Sequence, residues 1–169
     1  MIFKTERLII RKLEPQDFPG FHEMQSDDEV MKYTTSDGTL GKGFSESENR
    51  RQLDDCIERY DQPGNQFWVW AIIEIASEQF VGTCAIVQNE YQEPEIGYRI
   101  LRKFWRRGFA TETSVGLIAY AIEEMKLDQL VAYVDQRNEA SVKILNQSQM
   151  RFSESIANHG QTDLKFIWP

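Results

Sequence analysis

The sequence predicts an α/β fold, a mixed and mostly antiparallel sheet flanked by helices. Three features carry this expectation: two strand-like runs joined by a three-residue turn, a long apolar helix directly after a third such run, and a late strand that leads into another helix.

Residues 7–13 (RLIIRKL) are rich in β-formers and stop at Glu14-Pro15, so a strand gives way to a turn and a short helix over 20–24. Ser45 followed three residues later by Glu48 is a capping box, and Leu53, Ile57 and Tyr60 recur at helical spacing until Pro63-Gly64. Residues 67–75 (FWVWAIIEI) and 79–87 (QFVGTCAIV) flank Ala76-Ser77-Glu78, which favours an antiparallel hairpin with Phe67, Trp68 and Trp70 in the core. Residues 95–101 (EIGYRIL) form the third strand. Residues 108–125 (GFATETSVGLIAYAIEEM) are apolar around much of the helical circumference, as in a helix lying against a sheet. A buried strand over 130–134 precedes a helix over 138–148, with Asn138 as N-cap and Ala140, Ile144 and Leu145 on one side. The chain closes with a hairpin that turns at 158–160 and ends in a strand over 164–168.

A length of 169 residues with 41% hydrophobic content suits one domain over residues 1–169 with one core. Asp and Glu number 27 against 19 Lys and Arg, a net charge of −8 that disfavours nucleic acid and leans towards a cationic partner. The N-terminus has no apolar run after a basic start, and no eighteen apolar residues follow one another; the expectation is a cytosolic protein with no membrane association. Cys56 and Cys84 form no motif, and His22 and His159 are the only histidines, so neither a thiol nucleophile nor a metal site is expected. Residues 38–43 (GTLGKG) miss the Walker spacing, since only two residues separate the first two glycines. Oligomeric state is not legible.

The chemistry concentrates where the third strand turns into the apolar helix. A helix N-terminus offers unpaired N–H groups and a partial positive charge, and Gly108 and Ala110 supply clearance for an anion. Arg99, Arg102, Lys103, Arg106 and Arg107 put five cations into nine residues of an acidic chain, which suggests a polyanionic ligand; a solvated basic face would give the same pattern. A second strand-to-helix turn, Arg137-Asn138-Glu139-Ala140-Ser141, can open on the same sheet edge, where α/β proteins bind ligands.

With those pieces in place the chain resembles the GCN5-related N-acetyltransferases, and most of all the subgroup of ribosomal-protein N-terminal acetyltransferases. Four segments match in order: TERLIIRKLEPQDF, FVGTCAI, EIGYRILRKFWRRGFATE and NEASVKILNQSQMRF. The family's pyrophosphate loop maps onto Trp105-Arg106-Arg107-Gly108-Phe109-Ala110, with Thr111 next to it; Arg106 stands where the subgroup has glycine, and Gln149 where it has a helix-ending glycine. If position 149 needs φ > 0, glutamine there costs about 1 kcal/mol.

The resemblance implies a sheet splayed after the third strand and acetyl-CoA as acyl donor, with no metal. The pantetheine arm would pair with the backbone from Tyr98 to Leu101, and an N–H of Ile100 or Leu101 would polarise the thioester. Arg106, Arg107, Gly108, Phe109, Ala110 and Thr111 would hold the phosphates, and Asn138 the pantetheine. The implied reaction is direct attack by a primary amine, a protein N-terminus or a small molecule. Glu95 is the candidate base, though it also reads as a surface carboxylate, and Ser141 the candidate acid, though it also reads as part of a helix cap. Tyr133 is a fallback acid or a core residue. Residues 34–44 read as a mobile loop over the acceptor, with Tyr33 at its base, or as a plain connection. A non-catalytic acyl-CoA sensor and an unrelated phosphate-ligand protein fit the same turn.

Overall fold

The computed structural model describes residues 1–36, 39–40, 43–158 and 160–169. Its ten strands and five α-helices run β1 (Phe3–Lys4), β2 (Leu8–Lys12), α1 (Phe18–Gln25), α2 (Asp28–Met31), β3 (Thr35–Ser36), β4 (Thr39–Leu40), α3 (Glu46–Arg59), β5 (Phe67–Glu74), β6 (Phe80–Gln88), β7 (Pro94–Ile100), α4 (Phe109–Glu123), β8 (Leu130–Asp135), α5 (Glu139–Gln147), β9 (Arg151–Asn158) and β10 (Gln161–Trp168). Eight strands form one open sheet in the order β1-β2-β5-β6-β7-β8-β10-β9, and β3 pairs with β4 apart from it. Every pairing is antiparallel except that of β7 with β8.

Local signals set several elements. The Ser45–Glu48 capping box starts α3, and the Asn138 side chain accepts from the Ser141 N–H to start α5. The close of α5 has a different cause from the one expected. Gln149 is not among the positive-φ residues. The Ser148 hydroxyl ends the helix by donating to the Leu145 carbonyl at 2.7 Å and accepting from the Met150 N–H at 3.1 Å. The conditional cost at Gln149 therefore does not arise.

Trp70, Phe109, Phe166, Leu8, Ile10, Leu117 and Leu130 are fully buried between sheet and helices. Trp70 meets Tyr120 of α4 edge-on at 5.7 Å. Phe67 is not the core residue expected: it is 39% exposed at the start of β5, beneath the Arg59 guanidinium. In the 34–44 segment the described strands β3 and β4 pair as a hairpin; residues 37, 38, 41 and 42 of that segment, and the turn residue His159, lie outside the described residues.

No helix among the described residues is long and apolar enough to cross a membrane. Nor do they hold a group of three or more His, Cys, Asp or Glu placed for a metal ion. Burial pushes the Cys56 thiol up to about 11 and raises that of Cys84 further, which leaves both inert as nucleophiles at neutral pH.

Candidate active site

The sheet opens between β7 and β8. Among the described residues these parallel strands share one registered pair, Glu95 with Val131, and then diverge. The edge that β7 turns to the gap follows from its pairing with β6. The Leu101 N–H donates to the Val81 carbonyl at 2.9 Å, and ladder groups alternate sides, so residues 95, 97 and 99 also face β6. The N–H groups of Tyr98 and Ile100 face the gap. Leu101 is thus corrected as a candidate donor, because its N–H is already used within the sheet. The Ile100 carbonyl accepts from the Trp105 indole at 2.7 Å, which ties the following turn to the strand end.

That turn delivers the start of α4. Gly108 is its N-cap at φ 79°, a left-handed conformation natural to glycine, and no side chain among the described residues caps the helix. The first intrahelical bond runs from the Glu112 N–H to the Gly108 carbonyl, so the N–H groups of Phe109, Ala110 and Thr111 precede the ladder and stay available to an anion. Phe109 is buried, stacks at a tilt on Phe104 and anchors the turn in the core.

The five cations do not act together. Arg102 pairs with Asp27, Lys103 with Glu23 and Arg107 with Glu74, while Arg99 bonds to Gln25. The Arg107 guanidinium also lies over the Phe104 and Phe109 rings, and its carbonyl accepts from Arg7. Arg107 thereby ties the turn to β5, to Arg7 and to the two buried rings. Arg106 has no ion pair among the described residues and stands at φ 60°.

Glycine would suit position 106 better than arginine, for a physical reason. A left-handed backbone costs a residue with a Cβ about 1–2 kcal/mol, part of which glycine returns as unfolded-chain entropy. Arg106→Gly is therefore expected to stabilise the fold by about 0.5–1 kcal/mol, raising Tm by roughly 2–3 °C. The same variant should weaken binding of a polyphosphate ligand through the lost charge. Thermal melts with and without acetyl-CoA check both signs.

Along β7, alternate side chains point to opposite faces. Tyr98 points to the face covered by α4 and α5, where its hydroxyl lies 3.4 Å from the Ser141 Oγ. Burial raises the Tyr98 phenol above its ordinary pKa, although the bond to Ser141 opposes the rise. Asn138 and Ser141 start α5 at the rim of the gap. Glu95 points to the other face. Burial raises its carboxyl above the usual range, against a bond from the Asn89 amide at 3.2 Å, so it is a stronger base than a surface glutamate.

Glu93 behaves in the opposite way: burial would raise it, but hydrogen bonds from Lys165 and Tyr133, each at 2.7 Å, hold it below the ordinary value. Burial, then the bond to Glu93, pushes Tyr133 up to about 12, and its hydroxyl donates to that carboxylate. The Tyr33 ring lies 5.9 Å below the Arg137 guanidinium, next to the start of α5. The Tyr98–Ser141 hydroxyl pair and the Glu93–Lys165–Tyr133 cluster were missed from the sequence; their members are 43 and up to 72 residues apart, with no local signal to join them.

Comparison with known proteins matches this geometry. A family model described as an acetyltransferase (GNAT) domain covers residues 7–151. The uncharacterized N-acetyltransferase p20 of Bacillus licheniformis is 32% identical over 146 residues, covering 84% of this chain and 78% of that protein. The crystal structure of a GNAT-family acetyltransferase from Bacillus anthracis superposes with a TM-score of 0.81 at 26% identity, over 98% of this chain and 96% of the other. A spermidine N-acetyltransferase from Vibrio cholerae, solved in complex with CoA and spermine, shares the fold at a TM-score of 0.78 and 15% identity, over 97% of this chain and 96% of that one.

Proposed function

The chain belongs to the GNAT acetyltransferase family, and from that premise we propose that it moves an acetyl group from acetyl-CoA onto a primary amine by direct attack, with no covalent enzyme intermediate. The observation that carries the reading is the diverging β7–β8 edge ending at an uncapped helix N-terminus, a cleft for a thin chain with an anion seat at its end. The available donors fit a pyrophosphate. The N–H groups of Phe109, Ala110 and Thr111 receive it, Gly108 leaves clearance, and Arg106 adds charge. Asn138, whose side-chain oxygen caps α5, offers its amide N–H to the pantetheine side.

Bound acetyl-CoA supplies the activated acetyl group: the amine nitrogen forms a bond to the carbonyl carbon as the C–S bond breaks. The Tyr98 or Ile100 N–H polarises the carbonyl oxygen. Tyr98 lies three residues from Glu95, about 10 Å along the strand, so Glu95 takes the ammonium proton through water. Ser141, paired with the Tyr98 hydroxyl, returns a proton to the sulfur. The acceptor enters from the face of Glu95, with Tyr33 near its rim. Acceptors in this reading are protein N-termini, as the subgroup resemblance suggests, or small amines.

The test is a thermal-shift titration followed by a CoA-release screen over amine classes. Acetyl-CoA at a hundred times its Kd should add about 2.7 kcal/mol of stability. No shift at millimolar acetyl-CoA would remove the reading. Binding with no CoA release from any amine would leave a non-catalytic acyl-CoA-binding module.

A further inference from the structure

Three side-chain positions share the Glu95 face of β7: Glu95, Gly97 and Arg99. Arg99 reaches α1, where its Nη1 donates to the Gln25 Oε1 at 2.8 Å, and Gln25 in turn donates to Gln52 of α3. Gly97 between them leaves room, since a Cβ built on it would meet no atom within 4 Å. The strip is therefore an open floor with a carboxylate at one end and a guanidinium at the other, about 13 Å apart at the Cα atoms before the two side chains reach inward.

The guanidinium is under-used. Of its five N–H donors the described residues engage one, and none of their carboxylates forms an ion pair with it. Arg7, Arg11, Arg102, Arg107 and Arg137 each have a carboxylate partner, in a chain with acids in excess. A half-buried, unpaired cation is costly, and a planar fork of free donors is suited to a bidentate oxyanion. Burial lowers the Arg99 pKa, in keeping with a charge that lacks a counter-ion.

We propose that the acceptor is a primary amine that also carries an oxyanion, a carboxylate or a phosphate, gripped by Arg99 while its chain lies over Gly97 and its amine reaches the Glu95 end. This rests on the function proposed above and narrows its substrate class. It also runs against the cationic acceptor that net charge alone favours, because the local cation governs recognition at contact distance.

The experiment compares CoA release from 4-aminobutyrate, 3-aminopropylphosphonate, butylamine and spermidine by the wild type, Arg99→Met and Arg99→Lys. The wild type should favour one or both anionic amines over butylamine and spermidine by roughly tenfold or more in kcat/KM, and the two anionic arms tell carboxylate from phosphate. Arg99→Met should lose that preference by roughly 10–100-fold, through KM, with the KM for acetyl-CoA and the butylamine rate unchanged, and Arg99→Lys should recover part of it. Anionic amines that are inert or no better than the others overturn the proposal, as does an Arg99→Met variant that slows all acceptors alike, the mark of a strut between α1 and the sheet. If Arg99→Met does not fold, the wild-type ranking decides. A wild type that binds no acetyl-CoA overturns the proposed function instead.

Discussion

Glu95→Gln is expected to lower kcat/KM by roughly 10²–10⁴ while leaving Tm at neutral pH unchanged or higher. Glutamine keeps the shape and the bond from Asn89 but cannot accept a proton. The stability sign follows from linkage. A carboxyl whose folded pKa is raised favours the fold when protonated, so its contribution is full below the unfolded value and is lost as pH rises through the folded one. Removing the charge therefore spares the fold at pH 7 the cost of an ionised, buried Glu95. Glu93→Gln should behave in reverse, since a depressed carboxyl stabilises above its unfolded pKa and loses that contribution as pH falls. Rate profiles from about pH 6 to 10 add a second readout: Glu95→Gln should lose the acidic limb, and Ser141→Ala should keep it at lower kcat. Wild-type rates in Glu95→Gln would leave the proton to water and backbone carbonyls.

Gly108→Val is expected to weaken acetyl-CoA binding on the order of 10²-fold, the loss of about two charge-assisted hydrogen bonds. The branched side chain would stand beside the N–H groups that open α4, and at φ 79° it adds backbone strain of about 1–2 kcal/mol. A Cβ at this position would meet the Arg7 guanidinium at 3.2 Å, the end of a side chain able to shift, so the fold should survive. Gly108→Ala carries the strain without the bulk and separates the two effects. Calorimetry at a temperature where melts show a folded variant measures them. An unchanged Kd would mean that the phosphates do not rest on this turn.

What the sequence by itself determined is whatever is decided within one turn of helix or one strand. The Ser45–Glu48 box and the Asn138 cap bind groups three residues away, Gly108 takes the left-handed cap that its own backbone permits, and two strand-like runs over 67–75 and 79–87 with three residues between them suffice for a hairpin. Four ordered motifs likewise made the family legible. Arg106 read as an added charge, and its positive φ came only with the structure. Side-chain partners were a different matter. Arg107 turns to Glu74, 33 residues away, and Arg99 to Gln25, 74 away, so a row of five cations that reads as one patch is divided among separate partners. Leu101 is lost as a donor because β6 claims its N–H, and Phe67, at the first position of β5, is covered only in part, by the Arg59 guanidinium. The raised Glu95, the lowered Glu93 and the Tyr98–Ser141 pair exist only once the sheet is assembled. The reason is physical: caps and periodicity act through bonds of short loop closure, whereas burial, charge pairing and pKa depend on which distant segments the fold brings within a few ångströms.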